Sequence, residues 1–280
     1  MRFLHNVTYW SGVIITATFT LVPESAFDIK SDFISLIAKA ASLAEHDLTI
    51  FTFRLSFAVL VVVLVSFFLW LRSIFRKSIT FEGHDYVIKA KYGDLLTEKN
   101  CKKIINFDEC FTSRVGNAPG DINPNSLCGH FLLKYPELNI DGIVSQSRLQ
   151  PTKECSQFNS YTCYKSGSIV QHGDYLLMAF APLDSKGLAH FPSVKDYLDC
   201  LFNMWEEIDK YSRQCDVCIP VLGSGRTRIG TGTGYSYSEQ DFVNMIIWSY
   251  MLSPYKVKKP NQLRIICSKS KDFSLDKIKI

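Results

Sequence analysis

Residues 50–71, IFTFRLSFAVLVVVLVSFFLWL, form an almost unbroken apolar run of 22 residues in which Arg54 is the one charge. An α-helix rises 1.5 Å per residue, so this run would be about 33 Å long and would cross the hydrocarbon core of a bilayer. From residue 79 to residue 280 the chain mixes charged, polar and apolar residues as globular domains do. We therefore predict a transmembrane region at 1–78 and a soluble domain at 79–280.

A second apolar stretch, residues 4–22, is weaker because His5, Asn6 and several threonines dilute it. A cleaved signal peptide is the alternative interpretation, but Glu24 occupies a position of the candidate cleavage site that requires a small residue. We therefore expect two membrane helices, at about 4–22 and 50–71, that form a transmembrane hairpin.

The distribution of cations predicts how these helices are oriented, because lysine and arginine favour the cytoplasmic side of a membrane. Arg72, Arg76 and Lys77 directly follow the longer run, whereas segment 23–49 carries more acidic than basic residues. Both termini and the soluble domain are therefore expected in the cytoplasm. Residues 31–48 have apolar residues at helical spacing, which fits either an amphipathic helix on the outer membrane face or a surface that packs between protomers.

The nine cysteines all lie at or after Cys101, and their odd number and irregular spacing are typical of reduced thiols in a cytosolic domain. Cys215 and Cys218 have CxxC spacing, but the sequence has no second CxxC to complete a zinc site. The net charge of +4 is small, and no basic stripe interleaved with aromatic residues indicates a nucleic-acid partner. We therefore expect neither a metal site nor binding of nucleic acid.

Strand-like and helix-like segments alternate after residue 80. We predict strands at 84–92, 102–107, 174–183, 216–222 and 263–268, and helices at 126–135, 193–211 and 238–252. Such alternation is typical of an α/β domain that has helices on both faces of its sheet. Ligands of these domains bind beyond the carboxyl ends of the strands, so the turns at those ends are the candidate binding segments.

Three of these turns carry suitable residues. In GSGRTRIG, residues 223–230, glycines let backbone amides approach a ligand, and Arg226 and Arg228 suit phosphate. This turn matches neither a Walker A loop nor the GxGxxG motif. The alternative interpretation is that the glycines serve only a tight turn that binds no ligand. The aspartate of GDLLT, residues 93–97, binds a ligand or caps a helix. The loop 114–126 ends where a helix begins, and free amides at a helix start can bind an anion. The alternative interpretation is an ordinary surface loop.

We find no candidate catalytic set in the sequence. His130, His172 and His190 lie in separate segments without metal-ligand spacing, and the sequence contains no GxSxG nucleophile elbow. Lone histidines are more often structural or solvated than catalytic, so we predict no catalytic residues.

Together the turns resemble those of the macro-domain family, α/β/α sandwiches with a mixed sheet that bind ADP-ribose and related nucleotides. The resemblance implies that Asp94 in YGDLLT contacts the adenine amino group with Leu95 beside it, and that Asn106 in IINF aligns with the first asparagine of the family's VNAAN turn. It also implies that the loop in IPVLGSGRTRIG wraps the diphosphate. That role would fall to Gly223, Ser224, Gly225, Arg226, Thr227 and Arg228. Because helix N-termini bind anions, we expect the start of the helix at 126, with Ser126 and Leu127, to contact the phosphates from the opposite side.

Four stretches, NSLCGHFLLKY, KSGSIV, YLLMAFAPLD and IPVLGSG, follow the two predicted membrane helices. In this combination the chain resembles the transmembrane macro-domain effectors of Thoeris anti-phage defence systems. That resemblance implies a bacterial inner-membrane protein whose cytoplasmic domain binds an ADP-ribose derivative, with no cofactor. It also implies that a TIR-domain partner makes this signal from NAD, with histidine–ADP-ribose as the expected form. Binding would then drive homo-oligomerisation and disrupt the lipid bilayer.

The sequence departs from the macro domains that remove ADP-ribose, because Glu109 stands where they carry the second asparagine of VNAAN and no triple glycine follows. This departure favours a reader of the signal over an enzyme. Two alternatives stay open, a membrane-tethered ADP-ribosyl hydrolase and a scaffold that has lost its ligand. A distal pocket from residues 141–170 is expected to select the group attached to the ribose.

Overall fold

A computed structural model describes most of the chain and divides it into two compact units, residues 1–76 and 77–280. The described residues are 2–21, 45–75, 77–211, 215–225, 227–230, 237–270 and 273–278. Residues 31–44 of the predicted amphipathic segment 31–48 lie outside the described residues. Arg226 of the predicted phosphate loop lies outside them as well.

The first unit contains two helices, α1 (Arg2–Leu21) and α2 (Glu45–Phe75). The two helices meet where the ring of Phe19 lies 6.0 Å from the ring of Phe57. The guanidinium of Arg54 lies over the same Phe19 ring, 5.5 Å from its centre. The charge inside the longer apolar run is therefore placed against an aromatic face of the neighbouring helix.

One helix among the described residues is long and apolar enough to cross a membrane by length and composition, and it is α2 over Arg54–Leu71. This helix begins before and ends after the predicted span 50–71. The helix α1 covers almost all of 4–22, but a second membrane span, and with it the transmembrane hairpin, stays a prediction.

The second unit is built around a seven-stranded sheet. Its strands, together with those of two small two-stranded sheets, are β1 (Ser78–Glu82), β2 (Val87–Tyr92), β3 (Cys101–Asp108), β4 (Pro151–Cys155), β5 (Thr162–Tyr164), β6 (Ile169–His172), β7 (Tyr175–Ala181), β8 (His190–Phe191), β9 (Asp216–Pro220), β10 (Arg228–Ile229) and β11 (Leu263–Cys267). The order in the main sheet is β1-β2-β11-β9-β3-β7-β6. The two edge strands are antiparallel to their neighbours and the strands between them are parallel, so the sheet is mixed.

Helices cover both faces of this sheet. They are α3 (Leu127–Lys134), α4 (Ile140–Gln146), α5 (Val194–Tyr211) and α6 (Glu239–Leu252). Successive strand residues point to opposite faces, so neighbouring buried residues enter different cores. Ile104 and Met178 pack with α5 and α6, whereas Ile105 and Leu177 pack with α3 and α4. The unit is an α/β/α sandwich with a mixed sheet, which confirms the fold class predicted for this part of the chain.

Local sequence explains where the two long helices of the sandwich begin. At α6 the Ser238 hydroxyl accepts from the Asp241 amide and the Asp241 carboxylate accepts from the Ser238 amide, so the two residues form a capping box. At α5 the Ser193 hydroxyl accepts from the Asp196 amide over 3.3 Å. The sequence predicts both helices, at 193–211 and 238–252, whereas β1, β6 and α4 are short elements without a clear periodic pattern and are not among the predicted elements.

Trp205 offers a test of this packing. It is buried between α5 and α6, where its indole N–H donates to the Ser249 hydroxyl over 3.1 Å and its ring lies 4.9 Å from that of Tyr250. Trp205→Ala should destabilise the unit by about 3–5 kcal/mol, because it leaves a large void and removes one of the two hydrogen bonds of a buried hydroxyl. Thermal unfolding of the full chain in detergent should show a fall in Tm of about 6 °C or more.

Phe202→Ala is the matched control, because Phe202 lies on the exposed side of the same helix. Its Tm should stay close to that of the unchanged protein. Equal losses of stability in the two variants would contradict the packing between α5 and α6.

Candidate functional site

The parallel strands all end at one side of the sheet, which we call the carboxyl edge. Asp94 follows β2 there, the glycine turn 223–225 follows β9, and the loop 109–126 follows β3. Because β2 and β9 are both neighbours of β11, their ends are two strand spacings apart, or about 10 Å. Predicted site residues from distant parts of the sequence therefore lie along one edge.

Asp94 begins a short 3₁₀-helix, Leu95–Thr97, in which its carboxylate accepts from the Leu96 amide at 2.9 Å. Asp94 therefore caps a helix, which is one of the two roles that the sequence leaves open for it. The Asp94 residue is exposed, so its carboxylate also faces solvent at the carboxyl edge. Leu95 is only 3% exposed and packs in the core shared with α3 and α4, so its side chain serves the fold.

The glycine turn after β9 depends on one unusual backbone conformation. Gly223 is buried and has a φ of +92°, and a Cβ at this position would lie 2.6 Å from the ring of Phe242. The Ser224 hydroxyl donates to the Val221 carbonyl over 2.8 Å, which closes the turn. Ser224 and Gly225 are exposed beyond it. The Ser224 amide also donates to the Val221 carbonyl, over 3.3 Å, so a ligand at this turn would meet the backbone of Gly225.

Beyond the turn, the chain pairs with the segment that follows β7. The Arg228 amide donates to the Ala189 carbonyl at 3.0 Å, and the Gly230 amide donates to the Phe191 carbonyl at 2.9 Å. Since β9 and β7 flank β3 in the sheet, this pairing connects the loops on either side of the end of β3. Arg228 itself is exposed, and Thr227 is half-buried.

The remaining predicted residues lie around β3 and α3. Asn106 is half-buried near the end of β3, in register with β7. Ser126 is the N-cap of α3: its hydroxyl accepts from the Gly129 amide at 3.0 Å and donates to the Asn123 carbonyl at 2.7 Å. Because this hydroxyl is engaged in the cap, an anion at this helix would be held by backbone amides. Leu127 is half-buried against the core shared with α3 and α4.

A cavity of about 500 Å³ lies beyond the end of β3, on the side of α3 and α4. Its walls come from the loop after β3, from α4 and from the chain around β5. The lining residues are Cys110, Phe111, Thr112, Ser113, Arg114, Pro119, Gly120, Asp141, Val144, Ser145, Phe158, Asn159, Tyr161, Thr162 and Tyr164. None of the predicted binding residues that the structure describes lines this cavity, although part of its wall falls within 141–170, where the sequence suggests a distal pocket.

Asp108 fixes the loop that forms one wall of the cavity. Its Oδ1 accepts from the amide of Cys110 at 2.8 Å and from the amide of Thr112 at 3.1 Å. Burial raises the pKa of the Asp108 carboxyl, and these two hydrogen bonds oppose that change. Burial also raises the pKa of the Cys110 thiol to about 11, so the thiol is neutral at neutral pH.

The cavity wall combines aromatic rings with one cation and one carboxylate. The rings belong to Phe111, Phe158, Tyr161 and Tyr164, and the charges belong to Arg114 and Asp141. Arg114 forms an ion pair with Asp121, whose second oxygen accepts from the Ala118 amide at 3.0 Å. The loop 114–122 is therefore closed on itself, which holds the cation near the cavity. Such a wall suits an aromatic or zwitterionic group.

The cavity is the part of the site that the sequence patterns miss. Its residues come from segments between 110 and 164 that share no motif. One signal is the long loop at 114–126, rich in glycine, proline and asparagine, because connections of this length without regular structure often carry function. That signal identifies the loop but not the surfaces that meet it.

Comparison with known proteins relates the whole carboxyl edge to one family. The family described as Thoeris protein ThsA, Macro domain, matches residues 88–268, from within β2 to just beyond β11. Thoeris protein ThsA of Bacillus amyloliquefaciens (strain Y2) is 27% identical over 221 residues, which cover 75% of this chain and 71% of that protein.

Solved macrodomains from Oceanobacillus iheyensis are also similar to this chain. A mutant of that macrodomain is 11% identical with a TM-score of 0.46, and the alignment covers 71% of this chain and 94% of the macrodomain. The macrodomain with ADP is 11% identical with a TM-score of 0.42, covering 70% of this chain and 90% of the macrodomain.

The two glycines of the turn after β9 should respond differently to substitution. Gly223→Ala should destabilise the unit by about 1–3 kcal/mol, because alanine disfavours the positive φ and its methyl group would overlap Phe242. Gly225→Ala is the matched control, since nothing lies within 4 Å of a Cβ there, and it should change stability by less than about 0.5 kcal/mol. Thermal unfolding of the full chain compares them, and an unchanged Tm for Gly223→Ala would contradict the turn geometry.

Proposed function

Because the chain belongs to the family of the Thoeris protein ThsA macro domain, we propose that it is an anti-phage defence protein that binds an ADP-ribose derivative. The observation that carries the proposal is the carboxyl edge. There the exposed carboxylate of Asp94 and the glycine turn 223–225 follow strands whose ends are about 10 Å apart. One nucleotide diphosphate laid along this edge would contact both.

In the proposed complex, Asp94 accepts a hydrogen bond from the adenine amino group. The diphosphate binds the amide of Gly225, which is exposed two residues after the positive-φ Gly223, while the Ser224 amide donates to the Val221 carbonyl and holds the turn closed. The exposed Arg228 supplies a cation, since guanidinium groups bind phosphate oxygens well. The first amides of α3 supply a second group of donors, in the manner of other helix N-termini that bind anions.

The cavity beyond β3 favours a ligand larger than ADP-ribose itself. Arg114 and Asp141 in its wall would pair with the carboxylate and the amine of an amino acid. The aromatic rings of the wall would stack against an imidazole. We therefore propose histidine–ADP-ribose, made from NAD by a TIR-domain partner, as the natural ligand, with no cofactor needed.

The proposed activity is recognition and not hydrolysis. Glu109 stands where hydrolytic macro domains carry an asparagine, and its carboxylate accepts from the Leu183 amide at 3.2 Å. A membrane-tethered ADP-ribosyl hydrolase is the alternative function. Release of free ADP-ribose from an ADP-ribosylated protein by the purified chain would establish that alternative.

The first unit is proposed to anchor the chain in the bacterial inner membrane. Apolar side chains of α2 such as Val63 and Phe68 are 57% and 63% exposed, as expected of a helix whose surroundings are lipid. With α1 as a second span, the cations after α2 would place the second unit in the cytoplasm.

We also propose that ligand binding drives homo-oligomerisation, which gathers the anchors and damages the lipid bilayer. An apolar groove of about 370 Å³ runs along the outer face of α5 and α6, with Phe202, Trp248 and Leu252 among its lining residues. Monomeric proteins seldom expose large apolar patches to water. In a two-fold assembly the same groove of a second copy would supply the matching apolar surface.

Substitution of Asp94 tests the nucleotide site. Asp94→Ala should weaken binding of ADP-ribose about 10- to 100-fold, because a charge-assisted hydrogen bond to adenine is lost. Asp94→Asn keeps an oxygen that can accept from the Leu96 amide but loses the charge, so it should fall between Asp94→Ala and the unchanged chain. Isothermal titration calorimetry of the full chain in detergent measures both.

Asp174→Ala is the control for this series. Asp174 is an exposed carboxylate just before β7, at the opposite edge of the sheet, so its removal should leave the affinity for ADP-ribose unchanged. Unchanged affinity in Asp94→Ala would show that adenine does not bind at this turn.

A leakage assay tests the assembly step. Trp248→Lys should abolish most dye release from liposomes that contain the full chain and histidine–ADP-ribose, because a buried cation would destabilise an apolar interface. The variant should still bind the ligand, with an affinity lowered only by the factor that assembly contributes to binding. Leu133→Lys is the matched control, since Leu133 is exposed on the opposite helical layer. Equal dye release from the two variants would refute the proposed coupling. Dye release that is the same with and without a ligand shown to bind would refute it as well.

A further inference from the structure

Three side chains with metal-binding atoms converge beside the cavity. The carboxylate of Glu109 and the sulfurs of Cys110 and Cys163 lie within 4.8 Å of one another, and the two sulfurs are 3.5 Å apart. Glu109 and Cys110 follow β3, whereas Cys163 lies in β5 between Thr162 and Tyr164, which line the cavity. The cluster therefore joins two segments of the cavity wall.

The backbone holds Glu109 in place from several sides. Its amide donates to the Ala181 carbonyl at 3.0 Å, and its carbonyl accepts from the Tyr164 amide at 2.8 Å. Its carboxylate accepts from the Leu183 amide at 3.2 Å. Cys163 is 4% exposed and is fixed within a strand. Donor groups placed this firmly need little further ordering when an ion binds.

The donor atoms identify the class of metal. Thiolate sulfur selects soft or borderline ions, and zinc also accepts a carboxylate oxygen. Two sulfurs bound to a tetrahedral zinc ion are about 3.8 Å apart, close to the 3.5 Å between Cys110 and Cys163. A disulfide requires sulfurs about 2.0 Å apart and gives no role to the carboxylate of Glu109.

We propose that Glu109, Cys110 and Cys163 bind one zinc ion, which displaces the protons of the two thiols into solvent as it binds. Three protein donors leave the fourth tetrahedral position for a water molecule or another donor atom. The ion fastens the loop after β3 to β5 and so fixes the cavity wall at this point. The proposal does not depend on whether a nucleotide binds at Asp94, because the cluster lies apart from that turn.

A cobalt titration tests the proposal on the full chain in detergent, reduced and stripped of metal. Co²⁺ should bind once per chain and give a thiolate-to-cobalt charge-transfer band that Zn²⁺ abolishes. Cys110→Ser and Cys163→Ser should each lower the band about twofold and weaken binding about tenfold or more, since each removes one of the two sulfur ligands. Glu109→Gln should weaken binding but keep a band of two-thiolate intensity.

Cys155→Ser is the matched control, because Cys155 is an exposed thiol in the neighbouring strand β4. It should leave both band and affinity unchanged, and thermal unfolding without metal verifies that each variant is folded. A folded chain without the band would overturn the proposal, as would a band that persists when Cys110 and Cys163 are both serine. Mass spectrometry that finds these two cysteines joined as a disulfide in freshly purified protein would overturn it as well.

Discussion

The parallel hydrogen-bond ladder through β2, β11, β9, β3 and β7 is the constraint on which the rest of the second unit depends. Parallel strands need crossover connections, so helices cover both faces and both faces become core. Ile104 and Ile105 are successive residues that are both fully buried, one in each core. Asn106 and Asp108 bring polarity where β3 reaches the carboxyl edge. The burial that stabilises the sheet therefore also gathers three distant turns at one edge.

The features that could be predicted from sequence have a local physical signature. The strand predicted at 174–183 is a continuous apolar run, and the helix at 238–252 follows a capping serine, so both elements and the fold class follow from pattern and hydrophobicity. The cavity has no such signature, because its walls meet only when the loop after β3, α4 and β5 pack together. Cys110 and Cys163 are 53 residues apart, whereas the CxxC spacing at 215–218 draws attention to Cys218, which is buried within β9.

The two halves of the proposed site belong to different layers of the sandwich. Gly223 packs on Phe242, in the core shared with α5 and α6, whereas Phe111 and Val144 of the cavity belong to the core shared with α3 and α4. A ligand that contacts both halves must cross the end of β3. The nucleotide half would then supply affinity common to all ADP-ribose compounds, and the cavity would discriminate among the groups attached to the ribose. Neither half alone would account for both properties.

Coupling between ligand and assembly requires that the ligand bind the assembled state more tightly than the free state. The contact between Gly223 and Phe242 gives this requirement a physical basis, because Phe242 is part of α6 and its ring lies 6.0 Å from that of Tyr237, which lines the apolar groove. A diphosphate that orders the turn 223–225 would restrict Phe242 and, through it, one wall of the groove. In the proposed membrane assembly the change in affinity between copies would need to be only small, because chains confined to a membrane meet at high effective concentration. A modest change at one aromatic contact would then be enough to shift the population from the proposed single anchors to assembled ones.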